Sequence, residues 1–221
     1  MIELSEIKSD KEVEAIIAMS ERQIEVLGYT EHSRRHAGIV SKWSGEILRE
    51  LGYDADRIRL AEIAGYLHDI GNCVNRKDHA QSGALLAYKI LVRMGMSYSD
   101  AAEIMMAIGN HDEQYGLPAS DISSALIIAD KGDVHKSRVK KPIENVYTAN
   151  IHDRVNLAAE RSFVTVDRKN SLIALHIEID TSICSVMDYF EIYFNRMKLC
   201  RRAAEFLSCR FSLIINGTAL V

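Results

Sequence analysis

Three of the eight histidines in this chain are followed directly by aspartate, as His68-Asp69, His111-Asp112 and His152-Asp153. Imidazole beside carboxylate suits proton transfer or metal ligation, but the dipeptide alone says little. Position against the apolar stripe of a helix separates the three. His36 stands 3, 4, 7 and 11 residues before Ile39, Val40, Trp43 and Ile47, which puts it on a buried helix face. His68 lies four residues after Ala64, at the end of a stretch that is apolar almost all round. His79 leads Gly83, Leu86 and Ile90 at the same helical spacing, and His111 trails Ile104 and Ile108 by 7 and 3. Asp130 trails Leu126 and Ile127 by 4 and 3. A lone histidine in such a place is ordinarily a hydrogen-bonded core side chain, whereas an unpaired buried carboxylate is costly. Six groups in phase on five helices, His36, His68, Asp69, His79, His111 and Asp130, are explained together by metal. Imidazole and carboxylate suit iron, manganese, zinc or magnesium, and no cysteine is in phase to favour a thiolate site. His152-Asp153 has no such companions and reads as a surface pair.

The elements that must carry these groups are legible from periodicity and punctuation. The spacing predicts helices over 10–27 (capped by Asp10, stopped by Gly28), 31–51 (stopped by Gly52), from Asp54 or Asp56 to Ile70 (stopped by Gly71) and 78–94 (stopped by Gly95). Two more are expected over 99–111, with Ser97 or Ser99 as cap, and from Asp121 into the 130s. Only two prolines, Pro118 and Pro142, interrupt the chain, which favours helix throughout. Beyond residue 160 the texture changes. Phe163–Val166 and Leu172–Ile179 read as a hairpin, 182–208 as a long helix and Phe211–Ile215 as a last strand. The fold class is therefore mainly α, a helical bundle with a small C-terminal α+β (β-β-α-β) unit. The division expected is a helical metal-binding domain over 1–150 and the small unit over 151–221.

Composition excludes several classes. With 48% hydrophobic and 26% charged residues the chain is ordinary for a globular protein, and a formal charge of −4 gives nucleic acid no electrostatic footing. No apolar run reaches the length of a membrane helix, and the acidic, mixed start is not a secretory signal. The four cysteines have no CxxC and no dense spacing, so they are read as reduced thiols, which points to the cytoplasm.

The order His36, His68-Asp69, His79, His111, Asp130 resembles the HD superfamily of metal-dependent phosphohydrolases. The resemblance runs over residues 30–140 and is most specific in IAGYLHDIGN (63–72) and IIADKGDVHKSRV (127–139). It implies an HD-type helical bundle in which His36, His68, Asp69 and Asp130 hold a first divalent ion. It also implies that His79 and His111 hold a second, as in binuclear members, with Asp69 bridging both. Iron or manganese is the expected pair, with zinc, magnesium, nickel or cobalt as alternatives. His32, four residues before His36 and on the same face, is the rival ligand and otherwise lines the pocket.

An ion-activated water attacking phosphorus is the expected chemistry, with Asp69 as the central catalytic group. Phosphate oxygens need fixed cations. The basic run after Asp130 offers Lys131 and Arg138 for that contact, with His135 among them; Lys140 and Lys141 read equally well as solvated surface. Asn72 stands where many relatives have a basic residue, so it can hydrogen-bond substrate without adding charge. Asp112 is read as a partner of His111. The expected substrate is a small nucleotide-like phosphate ester or anhydride. Two rivals share the ligand set: a mixed-valent di-iron oxygenase of the HD type, and a regulatory module that senses a nucleotide. The long C-terminal helix is more apolar than one face requires, which a homodimer would explain.

Overall fold

A computed structural model describes residues 2–28, 34–139 and 151–220. Ahead of the expected first helix lies a short one, α1 (Leu4–Lys8). The second, α2 (Lys11–Leu27), starts at Asp10, whose carboxylate accepts from the backbone of Glu12 and Val13, and ends at Gly28 in the left-handed region. The bundle continues through α3 (Arg34–Leu51), α4 (Ala55–Leu67), α5 (His79–Arg93), α6 (Tyr98–Gly109) and α7 (Asp121–Gly132). Asp54, Ser97 and Ser120 cap α4, α6 and α7 through side-chain bonds to backbone amides.

Two boundaries differ from expectation, and both bear on the site. The helix expected to reach Ile70 ends at Leu67, and a 3-10 turn over Ile70–Cys73 follows, so His68 and Asp69 sit on the corner between them. The helix expected to reach His111 ends at Gly109. Apolar periodicity runs on across such corners because they stay buried, so it overshoots the helix end.

The C-terminal part begins with an unforeseen helix, α8 (Ile151–Ala158). It leads into β1 (Ala159–Asp167), β2 (Leu172–Ile179), α9 (Val186–Phe206), β3 (Arg210–Ile215) and a short β4 (Thr218–Ala219). The sheet order is β1-β2-β3-β4; β1 and β2 form the expected hairpin, and β3 returns parallel to β2 after the α9 crossover. Ile173, Leu175 and Ile177 of β2 pair in register with Phe211, Leu213 and Ile215 of β3, and all six are buried. One hydrophobic cluster joins this layer to the bundle. On α9, Tyr189, Tyr193, Cys200 and Ala203 are buried while Met187 and Phe194 stay exposed. The four cysteines are free thiols, three of them buried. No helix among the described residues is long and apolar enough to cross a membrane.

Candidate metal centre

Four imidazoles and two carboxylates meet where α3, the α4 corner, α5, the end of α6 and α7 converge. His36, His68, His79 and His111 are all buried. Successive rings along the order His36, His68, His111, His79 stand 5.0 to 5.1 Å apart, edge to face.

Each imidazole is fixed by its Nδ1. His68 donates to the carbonyl of Gly65 at 2.8 Å, His79 to that of Arg76 at 3.0 Å and His111 to that of Ile108 at 2.6 Å, three residues back each time. His36 donates instead to Oδ2 of Asp133 at 2.7 Å. A carbonyl only accepts, so Nδ1 of those three rings carries a proton, and in all four Nε2 faces inward, the arrangement that orients metal-ligating histidines.

The carboxylates divide the imidazoles into two pairs. Asp69 Oδ2 lies 3.3 Å from His68 Nε2 and 3.8 Å from His36 Nε2. Its Oδ1 lies 3.3 Å from His79 Nε2 and 3.9 Å from His111 Nε2. Asp130 Oδ1 closes the first pair, 3.3 Å from His36 and 3.6 Å from His68. Adjacent donors around an octahedral ion with bonds of about 2.1 Å lie about 3 Å apart, so the set fits divalent cations after small adjustments. The buried His68 Nε2 meets these carboxylate oxygens only at 3.3 and 3.6 Å, longer than an ordinary hydrogen bond, so imidazole and carboxylate donors converge on a space that suits a cation.

Electrostatics follow from burial and from this pairing. Burial works against a charged His68, but the carboxylates of Asp69 and Asp130 overcome it and lift its pKa to about 10. His79 and His111 are held low, first by burial; for His111 the neighbouring His68 and His79 add to the effect. Burial would raise Asp130, yet the Lys131 ammonium and the bonds to His36 and His68 pull it well below the carboxylate range.

Glycines make the convergence sterically feasible. A Cβ on Gly71 would overlap the carbonyl of His79 and the backbone nitrogen of Gly83. The bare backbone therefore lets the corner carrying Asp69 press onto the start of α5.

The predicted substrate contacts fare differently from the ligands. Lys131 is buried and lies 2.7 Å from both Asp130 Oδ2 and Glu113 Oε2, so it serves carboxylates rather than facing a pocket. Arg138 is buried too and donates to the Asp133 carbonyl at 2.7 Å. His135 is half-buried and caps the following 3-10 turn, accepting from the Ser137 backbone. Asn72 is buried beneath the site: its Nδ2 donates to the Asp69 carbonyl and its Oδ1 accepts from Arg76. Asp112 does not partner His111; it lies 3.8 Å from His79 and bonds the Gln114 backbone. His32, Lys140 and Lys141 fall outside the described residues.

Sequence reasoning missed Asp133, Arg76, Glu113 and Arg196. Asp133 also binds Arg35 at 3.0 Å, and its spacing of three from Asp130 was a readable signal. Arg76 reaches Asn72 at 3.2 Å and stands 3.8 Å from Asp69, restoring the charge that Asn72 lacks. It also lines a small cleft with His79, Asp112 and Tyr115. Glu113 and Arg196 join through a 2.9 Å bond between the α6–α7 loop and α9, a pairing no local pattern announces.

This arrangement is that of an HD domain. The family model for the HD domain matches residues 29–137, and the chain belongs to the HD superfamily of metal-dependent phosphohydrolases. Among curated relatives, an uncharacterized protein of Methanocaldococcus jannaschii is 29% identical, over 62% of this chain and 61% of its own length. Ribonuclease Y of Lawsonia intracellularis is 30% identical over 60% of this chain but only 24% of the relative. Ribonuclease Y of Latilactobacillus sakei is 34% identical over 46% of this chain and 18% of the relative. The chain thus spans under two thirds of the first of these and about a quarter or less of the ribonucleases. A crystal structure of a predicted HD superfamily hydrolase from an uncultured Thermotogales bacterium is 27% identical, covering 61% of this chain and 75% of that one, with a TM-score of 0.44.

Proposed function

We propose that the chain is a phosphohydrolase with a binuclear divalent-metal centre, cleaving a phosphate ester or anhydride of a small nucleotide-like molecule. The observation that carries this reading is the division of Asp69: one oxygen faces His36 and His68, the other faces His79 and His111. A carboxylate so placed suits bridging. His36, His68, Asp69 and Asp130 would hold one ion, and Asp69, His79 and His111 the other. Ions held there would acidify a water toward neutral pH and offset charge on the phosphoryl oxygens.

The chain's own residues supply the rest. The Nδ1 bonds keep four Nε2 atoms pointed inward, and Lys131 holds Asp130 Oδ2 so that Oδ1 faces the imidazoles. Arg76 takes over the phosphate contact first expected of Lys131 and Arg138. It shares a cleft with His79 and Lys77, it stands 3.8 Å from Asp69, and Asn72 steadies its guanidinium. The ribonuclease relatives, by their name, cleave phosphodiesters, which supports phosphorus chemistry over the oxygenase reading. Iron and manganese remain the metals of choice for an imidazole-carboxylate set. A homodimer through the exposed Met187 and Phe194 belongs to the same proposal, and light scattering tests it.

The test is metal analysis of the purified chain, followed by phosphate release from nucleoside polyphosphates, dinucleotides, phosphomonoesters and short RNA. About two ions per chain and turnover of a small phosphate are expected. His79→Ala should lose one ion and keep the other. Hydrolysis of RNA alone would replace the small-molecule substrate, and oxygen consumption coupled to turnover would replace the hydrolase.

A further inference from the structure

Asp130 and the loop after His111 are tied to the C-terminal unit by an unbroken chain of charged contacts. Lys131 Nζ bridges Asp130 Oδ2 and Glu113 Oε2, each at 2.7 Å. The other oxygen of Glu113 accepts from Nε of Arg196 at 2.9 Å. Glu113 is two residues from His111, so it touches both halves of the centre: Asp130 through Lys131, and His111 through the backbone.

Arg196 is itself held firmly. It projects from α9, which packs along α7, the helix that carries Asp130. Its guanidinium lies 4.7 Å from the centre of the Tyr193 ring, and Tyr193 stacks on Tyr189 with planes 3° apart. Both tyrosines are buried, so the stack is a fixed base for the cation.

The charges show why the arginine matters. Lys131 is 6% exposed and needs its carboxylates. Once Asp130 serves an ion, Glu113 becomes the main counter-charge of Lys131. Arg196 keeps Glu113 turned toward that ammonium; without it Glu113 can swing to water, and Lys131 is left to pull on Asp130 alone.

We propose that Arg196 is a positioning residue for the metal centre, fixing Asp130 and the His111 loop through Glu113 and Lys131, so that the C-terminal β-β-α-β unit completes the site. The inference rests on the metal-centre reading, and the experiment separates the two. Metal-free full-length chain is titrated with Co(II) against a chelator, and the visible spectrum of bound cobalt is recorded. Arg196→Ala should bind about 10-fold more weakly with an altered spectrum, as loss of a residue supporting a ligand usually does. Arg196→Lys should recover most of the affinity. Glu113→Gln should mimic Arg196→Ala, and the double variant should add little to either. Arg154→Ala removes the Arg154–Asp188 pair between α8 and α9 and should leave cobalt binding unchanged. Once a substrate is in hand, Arg196→Ala should lower kcat with KM little altered.

Unchanged affinity and spectrum in Arg196→Ala, or simple additivity with Glu113→Gln, would overturn the inference. Should Arg196→Ala not fold, Glu113→Gln and Arg196→Lys decide it, and wild-type cobalt binding in Glu113→Gln overturns it. No cobalt uptake by the unsubstituted chain would instead sink the metal-centre reading itself.

Discussion

Gly65 of α4 and Ser41 of α3 meet backbone to backbone: a Cβ on Gly65 would stand 2.7 Å from the Ser41 Cα. The closeness has a purpose in the site. It draws the end of α4 against α3, so that His68 and His36 come within 5.1 Å ring to ring. Ser41 adds a 2.7 Å hydroxyl bond to the Glu62 carbonyl across the same seam. Gly65→Ala must push the helices apart, which overpacking data put at about 1–3 kcal/mol. We expect a lower Tm in the metal-free chain and weaker metal binding as well. Calorimetry with and without metal checks this; an unchanged Tm would mean the seam has slack.

Glu113 gives the metal-free fold an acid limit. Burial would raise its pKa, but the Lys131 and Arg196 charges hold it below its ordinary value of 4.5. A carboxylate depressed in the folded state stabilises fully above its unfolded pKa and loses that contribution as pH falls through the folded one. Thermal melts from pH 7 downward should therefore drop below pH 4.5. Glu113→Gln should start about 1–3 kcal/mol lower at pH 7 and decline less steeply, so the two curves converge. Parallel curves would show that Glu113 contributes no linkage.

Arg76 should act on substrate rather than on the ions. It sits at the cleft beside His79 and is anchored by Asn72. Arg76→Ala should raise KM for a phosphate substrate by about 10-fold or more, since charge-assisted bonds to phosphate are among the strong ones. Metal content should stay at the wild-type level. Arg138→Ala, which removes a buried structural bond, should lower stability instead. A KM effect confined to Arg138→Ala would reverse the assignment.

How much of this was legible in the sequence depended on whether the signal was local. The six groups His36, His68, Asp69, His79, His111 and Asp130 do converge as their phase with the core implied, and the β-β-α-β tail was readable from alternation and turns. Helix ends at His68 and His111 were not, because apolar periodicity continues through a buried corner. Lys131 and Arg138 looked like phosphate ligands because charge near a ligand suggests substrate. Burial shows that they answer Asp130, Glu113 and the Asp133 carbonyl instead. Glu113 and Arg196 are 83 residues apart, and their pairing depends on how α9 docks on α7, which no window of sequence encodes.

His68 ties metal binding to protons. Its pKa of about 10 in the metal-free fold reflects burial opposed and outweighed by Asp69 and Asp130, so near neutral pH it carries a second proton on Nε2. That nitrogen cannot bind an ion until the proton leaves. His79 and His111, held low chiefly by burial, are neutral there and release none. Binding at the His36–His68 side should therefore expel a proton between pH 7 and 9, and affinity should climb about tenfold per pH unit until it levels off near the folded pKa. Titration calorimetry in buffers of different ionisation enthalpy counts the proton directly. His68→Asn should abolish that release while weakening the ion. The same apparent enthalpy in every buffer would show that His68 is already neutral, with its Nε2 lone pair open to metal.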